Sequence, residues 1–216
     1  MDFYAKIRYN ANTDETMQHE GNLIMPNVYD FDETIVYPNA GVTFIKFCMK
    51  RHGRLRLFLP RMGREALRHH FSSKSGKPFK AELYCFLRGL PNWPEEVRLF
   101  WELHAEKMLL PWYLAQKRPD DIIISDSGEF LLRPICEQLG VRLIATRVDP
   151  KRGRLIGPDC YGPEKVRRLR EEFGDVEIED FYSDSLVDTP LAKLAKRAFI
   201  VEKNVRTPWP AEALRA

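Results

Sequence analysis

Carboxylates, hydroxyls and one lysine follow the predicted strands of this 216-residue sequence. In chain order they are Asp30, Asp32 and Thr34 in YDFDETI, Ser125 in IIISDSGEF, Lys165 in YGPEKV, and Asp184 and Asp188 in YSDSLVDTP. Ligands of open α/β sheets bind beyond the carboxyl ends of the parallel strands. We therefore expect these side chains to converge at one edge of the sheet.

Such a set of side chains suits phosphoryl transfer. Carboxylates gathered together are costly unless a divalent cation neutralises them, and hard oxygen ligands with room for water favour Mg²⁺. One carboxylate can attack phosphorus, which gives an aspartyl-phosphate that water then hydrolyses. A second carboxyl two residues along can act as general acid and then as general base. Lysine and hydroxyl groups would hold the phosphate oxygens.

Simpler roles are open for several of these residues. Asp30 and Asp32 are also typical of a turn after a strand. Asp126 or Ser127 could cap the helix that follows, with Ser127 the favoured cap, and Asp188 could cap the next short helix.

The elements that position these residues alternate between strand and helix after residue 118. The predicted strands are DIIIS, VRLIATRV, VEIEDFYSD and AFIVEK, and the predicted helices between them are SDSGEFLLRPICEQLG, GPEKVRRLREEFG and TPLAKLAKRA. This alternation is typical of a parallel sheet with right-handed crossovers. A further short strand at Val28 and Tyr29 precedes Asp30, and Pro26 limits its length.

Mostly helical patterns interrupt this α/β core after its first strand. The predicted helical segments are GVTFIKFCMKRHG, RLRLFLPRMGREALRHHF with a break at Pro60, KPFKAELYCFLRGL, and PEEVRLFWELHAEKMLLPWYL. We divide the chain into a tail (1–22), a core (23–34 plus 119–216) and a helical insertion (35–118).

Composition limits the class of protein. With 44% hydrophobic and 12% aromatic residues the chain is not mostly disordered, and a mean hydropathy of −0.40 excludes a transmembrane helix. No signal peptide is expected in residues 1–20. The four cysteines lie far apart, which disfavours a zinc ribbon or a disulfide scaffold and favours the cytoplasm. Cys85 and Cys136 are predicted core residues, and His52, His69 and His70 are predicted surface residues.

The net charge of +3 conceals a strongly basic segment. Residues 41–90 contain twelve Lys or Arg and two acids, a charge of +10, so the other residues carry −7. This segment could be a solvated helical face, a surface for acidic lipid headgroups, or a lid whose Arg64 or Arg88 closes over an anionic substrate. Nucleic acid is not expected as a partner, because no recognised binding motif accompanies the charge.

The four segments together resemble the haloacid dehalogenase superfamily and, within it, the phosphoserine-phosphatase-like branch (subfamily IB). The segments occur in the order of that family's four motifs, and the resemblance covers roughly residues 23–203. It implies a Rossmann-like α/β core with residues 35–118 as a mobile helical cap. It also implies a Mg²⁺-dependent phosphomonoester hydrolase that acts on a small phosphorylated metabolite through an aspartyl-phosphate.

The resemblance also implies a role for each candidate residue. Asp30 would be the nucleophile and Asp32 the acid and base. The phosphate would be bound by Ser125, Lys165 and Thr34. Mg²⁺ would be bound by the Asp30 side chain, the Asp32 backbone carbonyl and Asp184, with Asp188 in support.

Two departures from the family pattern concern specificity. Phosphoserine phosphatases carry a glutamate shortly after the first motif, whereas the corresponding stretch here, IVYPNAG, contains no acid, which argues against phosphoserine as the substrate. Ser183 stands where glycine is common. A phosphotransferase, a phospholipid-headgroup phosphatase and a non-catalytic phosphate-binding module of the same fold are the alternatives.

Overall fold

A six-stranded sheet forms the centre of the protein. The computed structural model describes residues 25–64 and 83–215. The sheet has the order β3–β2–β1–β6–β7–β8, and all neighbours are parallel except β7 and β8. Its strands are β1 (Val28–Tyr29), β2 (Ile122–Gly128), β3 (Arg142–Thr146), β6 (Ile178–Ser183), β7 (Ala195–Glu202) and β8 (Val205–Pro208). A separate hairpin pairs β4 (Val148–Asp149) with β5 (Arg154–Leu155).

Helices follow most of the strands. They are α1 (Ala40–Arg51), α2 (Trp93–Met108), α3 (Pro111–Gln116), α4 (Glu129–Leu139), α5 (Pro163–Phe173), α6 (Thr189–Ala192) and α7 (Ala211–Arg215), with 3₁₀ helices at Gly53–Phe58 and Leu83–Gly89. The predicted α/β class with a mostly parallel sheet is confirmed.

The short strand β1 lies in the middle of the sheet, between β2 and β6. Its two residues are apolar enough to be buried on opposite faces, as this central position requires. Val28 pairs with Ile122 and packs in one apolar cluster, whereas Tyr29 pairs with Ile123 and packs in the other. This central position places the next residue, Asp30, at the carboxyl edge between two neighbouring strands.

The helical insertion packs on one face of this sheet through aromatic side chains. Phe44 of α1 contacts the rings of Phe100 in α2 and Phe130 in α4, at centroid distances of 5.4 and 6.2 Å. The indole Nε1 of Trp101 donates to the backbone carbonyl of Leu131 at 2.7 Å. The insertion and this face of the sheet therefore share one apolar core.

One helix prediction within the insertion is wrong. The segment after Trp93 forms two helices, since Leu109 is extended and Leu110, which precedes Pro111, is also extended. A residue before proline disfavours the helical region, which explains the break. The predicted interruption near Pro60 is present, because the 3₁₀ helix ends at Phe58 and a new helical segment begins at residue 59 with Pro60 in its first turn.

The carboxyl-terminal elements also differ from the prediction. The helix predicted over TPLAKLAKRA ends at Ala192, and the residues from Ala195 onward pair with β6 as strand β7. Sheet pairing therefore outweighs the helical preference of that segment. Strand β8 and the hairpin of β4 and β5 were not predicted.

Some predictions fall outside the described residues. These are the tail over residues 1–22, His69, His70 and the first part of the helix predicted at KPFKAELYCFLRGL, whose described part is 3₁₀. Within residues 25–64 and 83–215, no helix has both the length and the apolar character needed to cross a membrane.

Candidate active site

Asp30 lies directly after β1 and forms a buried ion pair. Its backbone N–H donates to the carbonyl of Tyr182 at 2.8 Å, which fixes the residue beside β6. The ammonium of Lys165 lies 2.8 Å from Asp30 Oδ1 and 2.7 Å from Asp188 Oδ2. Lys165 is only 2% exposed, so one cation is held between two carboxylates away from bulk water.

The first turn of α5 delivers this lysine. Gly162 precedes the helix with a φ of 54°, a conformation that favours glycine, and the N–H of Lys165 donates to its carbonyl. Burial lowers the pKa of Lys165, but the carboxylates of Asp30 and Asp188 outweigh burial and raise it. The lysine is therefore cationic.

The pKa of Asp30 is raised well above its ordinary range. Burial is the main cause and Lys165 opposes it, while the negative charges of Asp188 and Asp126 add to the rise. This carboxylate lies in an excess of negative charge that a further cation would relieve.

Asp188 holds the lysine from the other side. Its Oδ2 accepts from Ser183 Oγ at 2.8 Å as well as from Lys165. The residue lies at the N-cap position of α6, yet its side chain makes no capping hydrogen bond. The capping alternative for Asp188 is wrong, because its carboxylate is directed toward Lys165.

Asp32 connects the core to the helical insertion. One carboxylate oxygen accepts from the backbone N–H of Ala40, the first residue of α1, and the other accepts from the hydroxyl of Ser127. Glu33, the residue after Asp32, has a φ of 59°, so the chain turns sharply at this point.

Ser127 is the site residue that the sequence analysis missed. It was predicted as a helix cap, but it lies in β2, Gly128 occupies the N-cap position of α4, and no side chain caps that helix. The second serine of SDS, two residues after Ser125, was the available signal, since alternate strand residues share a face.

Thr34 and Asp184 connect two strand ends. The N–H of Asp184 donates to Thr34 Oγ1 at 2.9 Å, and this hydroxyl lies 3.4 Å from Asp184 Oδ1. Thr34 is fully buried, whereas Asp184 is exposed. Ser125 is also fully buried, and its Oγ accepts from the N–H of Ser127 at 3.1 Å.

A polar cavity of about 200 Å³ opens onto these residues. Six acids and one lysine line it, namely Asp30, Asp32, Glu33, Asp126, Asp184, Asp188 and Lys165. Ser125 and Thr34 lie beneath this surface and are not among its lining residues. The predicted aspartates and lysine are therefore brought together around one cavity.

A comparison of the chain with models of known protein families shows the family to which it belongs. The model of the haloacid dehalogenase-like hydrolases matches residues 28–193. The chain belongs to this family. Protein CicA of Caulobacter vibrioides is 30% identical over 194 residues, which cover 83% of this chain and 85% of that protein.

Solved structures share the fold at lower identity. A protein of unknown function from Bordetella pertussis superposes with a TM-score of 0.66 at 19% identity, over 80% of this chain and 87% of that one. A phosphoserine phosphohydrolase-like protein from Francisella tularensis has a TM-score of 0.52 at 15% identity, over 81% and 86%. The predicted superfamily is confirmed, and the fold is shared with a phosphoserine phosphohydrolase-like protein.

The donor groups of this haloacid dehalogenase-like site fit a divalent cation. The carboxylates of Asp30 and Asp184 and the carbonyl of Asp32 are the hard oxygen ligands that small divalent ions prefer. Within the described part of the chain, no three His, Cys, Asp or Glu side chains form a metal-binding cluster. In the proposed ligand set, the backbone carbonyl of Asp32 would add a third protein oxygen to the two carboxylates.

The predicted cap arginines lie apart from this cavity. Arg88 is exposed, and its Nε donates to the carbonyl of Arg152 at 2.8 Å, in the turn between β4 and β5. Arg64 is exposed, and neither arginine lines the polar cavity. His52 lies 2.9 Å from Glu96 at the edge of the insertion, and Cys85 and Cys136 are buried as predicted.

Proposed function

We propose that this hydrolase cleaves phosphate monoesters through an aspartyl-phosphate formed on Asp30. The observation that carries the proposal is the buried pair of Asp30 and Lys165 at the floor of an acidic cavity, with Asp32 two residues away. A carboxylate beside a fixed cation and open to a cavity can serve as a nucleophile toward phosphorus.

In the first half-reaction, a carboxylate oxygen of Asp30 forms a bond to phosphorus as the bond from phosphorus to the alcohol oxygen breaks. Asp32 in its protonated form donates a proton to the departing oxygen, so the alcohol leaves neutral. The hydrogen bonds of Asp32 to Ala40 and Ser127 hold its carboxyl in place for this transfer.

In the second half-reaction, Asp32 accepts a proton from a water molecule that attacks the phosphorus of the aspartyl-phosphate. The bond between phosphorus and Asp30 breaks, inorganic phosphate leaves, and both carboxyl groups return to their starting states. The balance of the cycle is one phosphate monoester and one water converted to one alcohol and one phosphate.

Lys165 provides a fixed positive charge that stabilises the negative charge on the phosphate oxygens. Asp188 and Ser183 orient it, since Asp188 accepts hydrogen bonds from both. We further propose that Asp30, the Asp32 carbonyl and Asp184 bind Mg²⁺, with Asp188 in support, and such an ion supplies neutralisation of phosphate charge. Ser125 and Thr34 are buried and do not line the cavity, and their contact with phosphate stays a prediction.

Residues 35–118 would act as the cap of the site, and residues 23–34 with 119–216 as the catalytic core. The bond between Asp32 and the first amide of α1 supports a cap whose position is coupled to the core. Closure of such an element excludes water during transfer. The substrate would be a small phosphorylated molecule.

The replacement Asp30→Asn tests the assignment. With 4-nitrophenyl phosphate and Mg²⁺, we expect kcat to fall by at least about a thousandfold, because the amide cannot attack phosphorus. The control is Asp175→Asn, whose side chain is 96% exposed and pairs only with surface Arg170. Turnover by Asp30→Asn at the wild-type rate would refute Asp30 as the nucleophile.

Two further results would separate the alternatives. New phosphate esters formed when alcohols are added would assign a phosphotransferase. Tight binding of a phosphate ester without turnover over a broad panel would instead assign a phosphate-binding module.

A further inference from the structure

The polar cavity adjoins a second cavity with a mostly apolar lining. Asn39 and Asp126 line both, so the second cavity begins where the acidic one ends. Its volume is about 170 Å³, and it lies between α1, the 3₁₀ helix Leu83–Gly89 and the start of α4. An ester group that extends from a phosphate beside Asp30 past Asn39 and Asp126 would enter this second cavity.

Apolar side chains form most of the wall of this second cavity. They are Val42, Phe44, Ile45, Tyr84, Phe86 and Phe130. Apart from Asp126 at the junction, no charged side chain of the described residues lines it. Of the described lining residues, only Asn39, Tyr84, Asp126 and Ser127 have polar side chains, so a charged or strongly polar ester group would recover few of the hydrogen bonds that it loses to water.

The aromatic rings are held in fixed positions around this space. Phe130 meets Phe44 and Tyr84 edge to face, at centroid distances of 6.2 and 5.8 Å. A Cβ atom at Gly128 would lie 2.6 Å from the Phe130 ring, so glycine allows the ring to pack against the strand end. The cavity is therefore shaped by packing that already exists without a ligand.

The size of the cavity selects a compact group. An apolar cavity of about 150 Å³ is large enough to bind benzene. A single six-membered ring or a branched alkyl group of that size fills the space between the walls.

We propose, on the basis of the proposed function, that the substrates are monoesters of alcohols bearing one aromatic ring or a compact apolar group. The phosphate lies beside Asp30 and Lys165, and the ring lies against Phe44, Ile45 and Phe130. Esters of polar alcohols with the same intrinsic reactivity leave this cavity filled with water and are poorer substrates.

Benzyl phosphate and glycerol 2-phosphate test the proposal. Both are esters of aliphatic alcohols, so their intrinsic reactivities do not differ in the way that those of an aryl and an alkyl ester do. We expect kcat/KM for benzyl phosphate to be at least about tenfold higher, since burial of the ring favours its transition state. Phosphoserine is the third substrate and is expected to resemble glycerol 2-phosphate. As a measure of binding alone, benzylphosphonate should inhibit at least about tenfold more tightly than methylphosphonate.

Substitutions in the wall should remove this preference. Val42→Asn and Ile45→Asn place an amide in the cavity, and each is expected to lower the ratio of kcat/KM for benzyl phosphate over glycerol 2-phosphate by about threefold or more. Lys46→Asn is the matched control, because Lys46 lies on the exposed side of the same helix. Its ratio should equal that of the wild type.

The outcomes distinguish the two proposals. Equal or higher kcat/KM for the polar esters, with 4-nitrophenyl phosphate hydrolysed, overturns the substrate class and leaves the proposed function standing. Failure to hydrolyse every ester, the nitrophenyl ester included, overturns both. A preference for benzyl phosphate that the Asn variants leave unchanged refutes the assignment to this cavity.

Discussion

The two ends of the central sheet each bury an aspartate, and the surroundings of the two carboxyls differ. At the carboxyl edge, Asp30 has the ammonium of Lys165 at 2.8 Å and faces the polar cavity. At the amino edge, Asp121 is fully buried just before β2, and its nearest cation, the Nε of Arg118, lies 3.8 Å away. Asp121 Oδ2 accepts the backbone N–H of Arg118 and so closes a turn.

The difference shows that burial of a carboxyl does not by itself make a reactive site. The pKa of both aspartates is raised, and burial is the largest cause in each case. Only Asp30 also has a cation within hydrogen-bond distance and access to a cavity. These two features separate the candidate nucleophile from an aspartate that stabilises a turn.

Removal of the cation at the carboxyl edge should have the largest effect. Lys165→Met leaves Asp30 and Asp188 buried without a counter-charge, and we expect the free energy of unfolding to fall by about 3 kcal/mol. Phosphatase activity should fall by about a hundredfold or more, because a fixed donor to phosphate is lost. Urea unfolding and steady-state kinetics measure the two effects.

Two companion variants make this result interpretable. Lys151→Met removes an exposed lysine from the β4–β5 turn and should change neither property. Lys165→Met with Asp188→Asn should recover part of the lost stability, since one buried negative charge is gone. Wild-type stability of Lys165→Met would contradict the account of the carboxyl edge.

Neutralisation of the aspartate at the amino edge should alter stability without altering catalysis. Burial raises the pKa of Asp121 to about 7, although the N–H and guanidinium of Arg118 oppose the rise. Between the ordinary pKa of 3.8 and 7, the folded state binds more protons than the unfolded chain, so stability is lost as the pH rises. The contribution approaches about 1.4 kcal/mol per pH unit in this range and is constant above it.

Asp121→Asn should therefore lose less stability than the wild type between pH 4.5 and pH 7, because asparagine keeps an acceptor for Arg118 and carries no charge. Urea unfolding at several pH values measures the two slopes. Asp120→Asn changes the adjacent, partly exposed residue and provides the comparison. Identical slopes for Asp121→Asn and the wild type would show that the buried carboxyl is ionised throughout.

Loss of the hydroxyl of Ser127 should have the smallest effect. Ser127→Ala removes one hydrogen bond to Asp32 and leaves the bond from Ala40 in place. We expect kcat to fall by about tenfold with little change in KM, because the misplaced carboxyl serves proton transfer rather than binding. A shifted pH–rate profile would accompany the loss, and Thr207→Ala on the exposed edge strand β8 should show neither change. A wild-type pH profile in Ser127→Ala would show that Asp32 does not depend on this bond.

The sequence predicted the carboxyl edge well because its signals are local. Asp30 and Asp188 lie within five residues of the ends of β1 and β6, and Lys165 lies in the first turn of α5 directly after Gly162 and Pro163, so strand direction and the helix start determine where these residues lie. The spacing of the two serines in SDS could place Ser127 on the same face as Ser125, but it could not identify Asp32, 95 positions away, as the partner of Ser127. Strand β7 was misjudged for a related reason, since its pairing with β6 outweighs the helical preference of Ala195 and Lys196.

The hydrogen bond from the backbone N–H of Ala40 to Asp32 would couple the two proposed roles, selection of the ester group and transfer of the proton. The helix that begins at Ala40 also lines the apolar cavity with Val42 and Ile45, so under the two proposals one helix would contact both the ester group and the proton donor. An alcohol group that displaces α1 also moves the carboxyl of Asp32 away from the departing oxygen. An ester too large for the cavity would then be rejected chiefly by slow cleavage after it has bound, so the penalty for excess size would be expressed in kcat more than in KM.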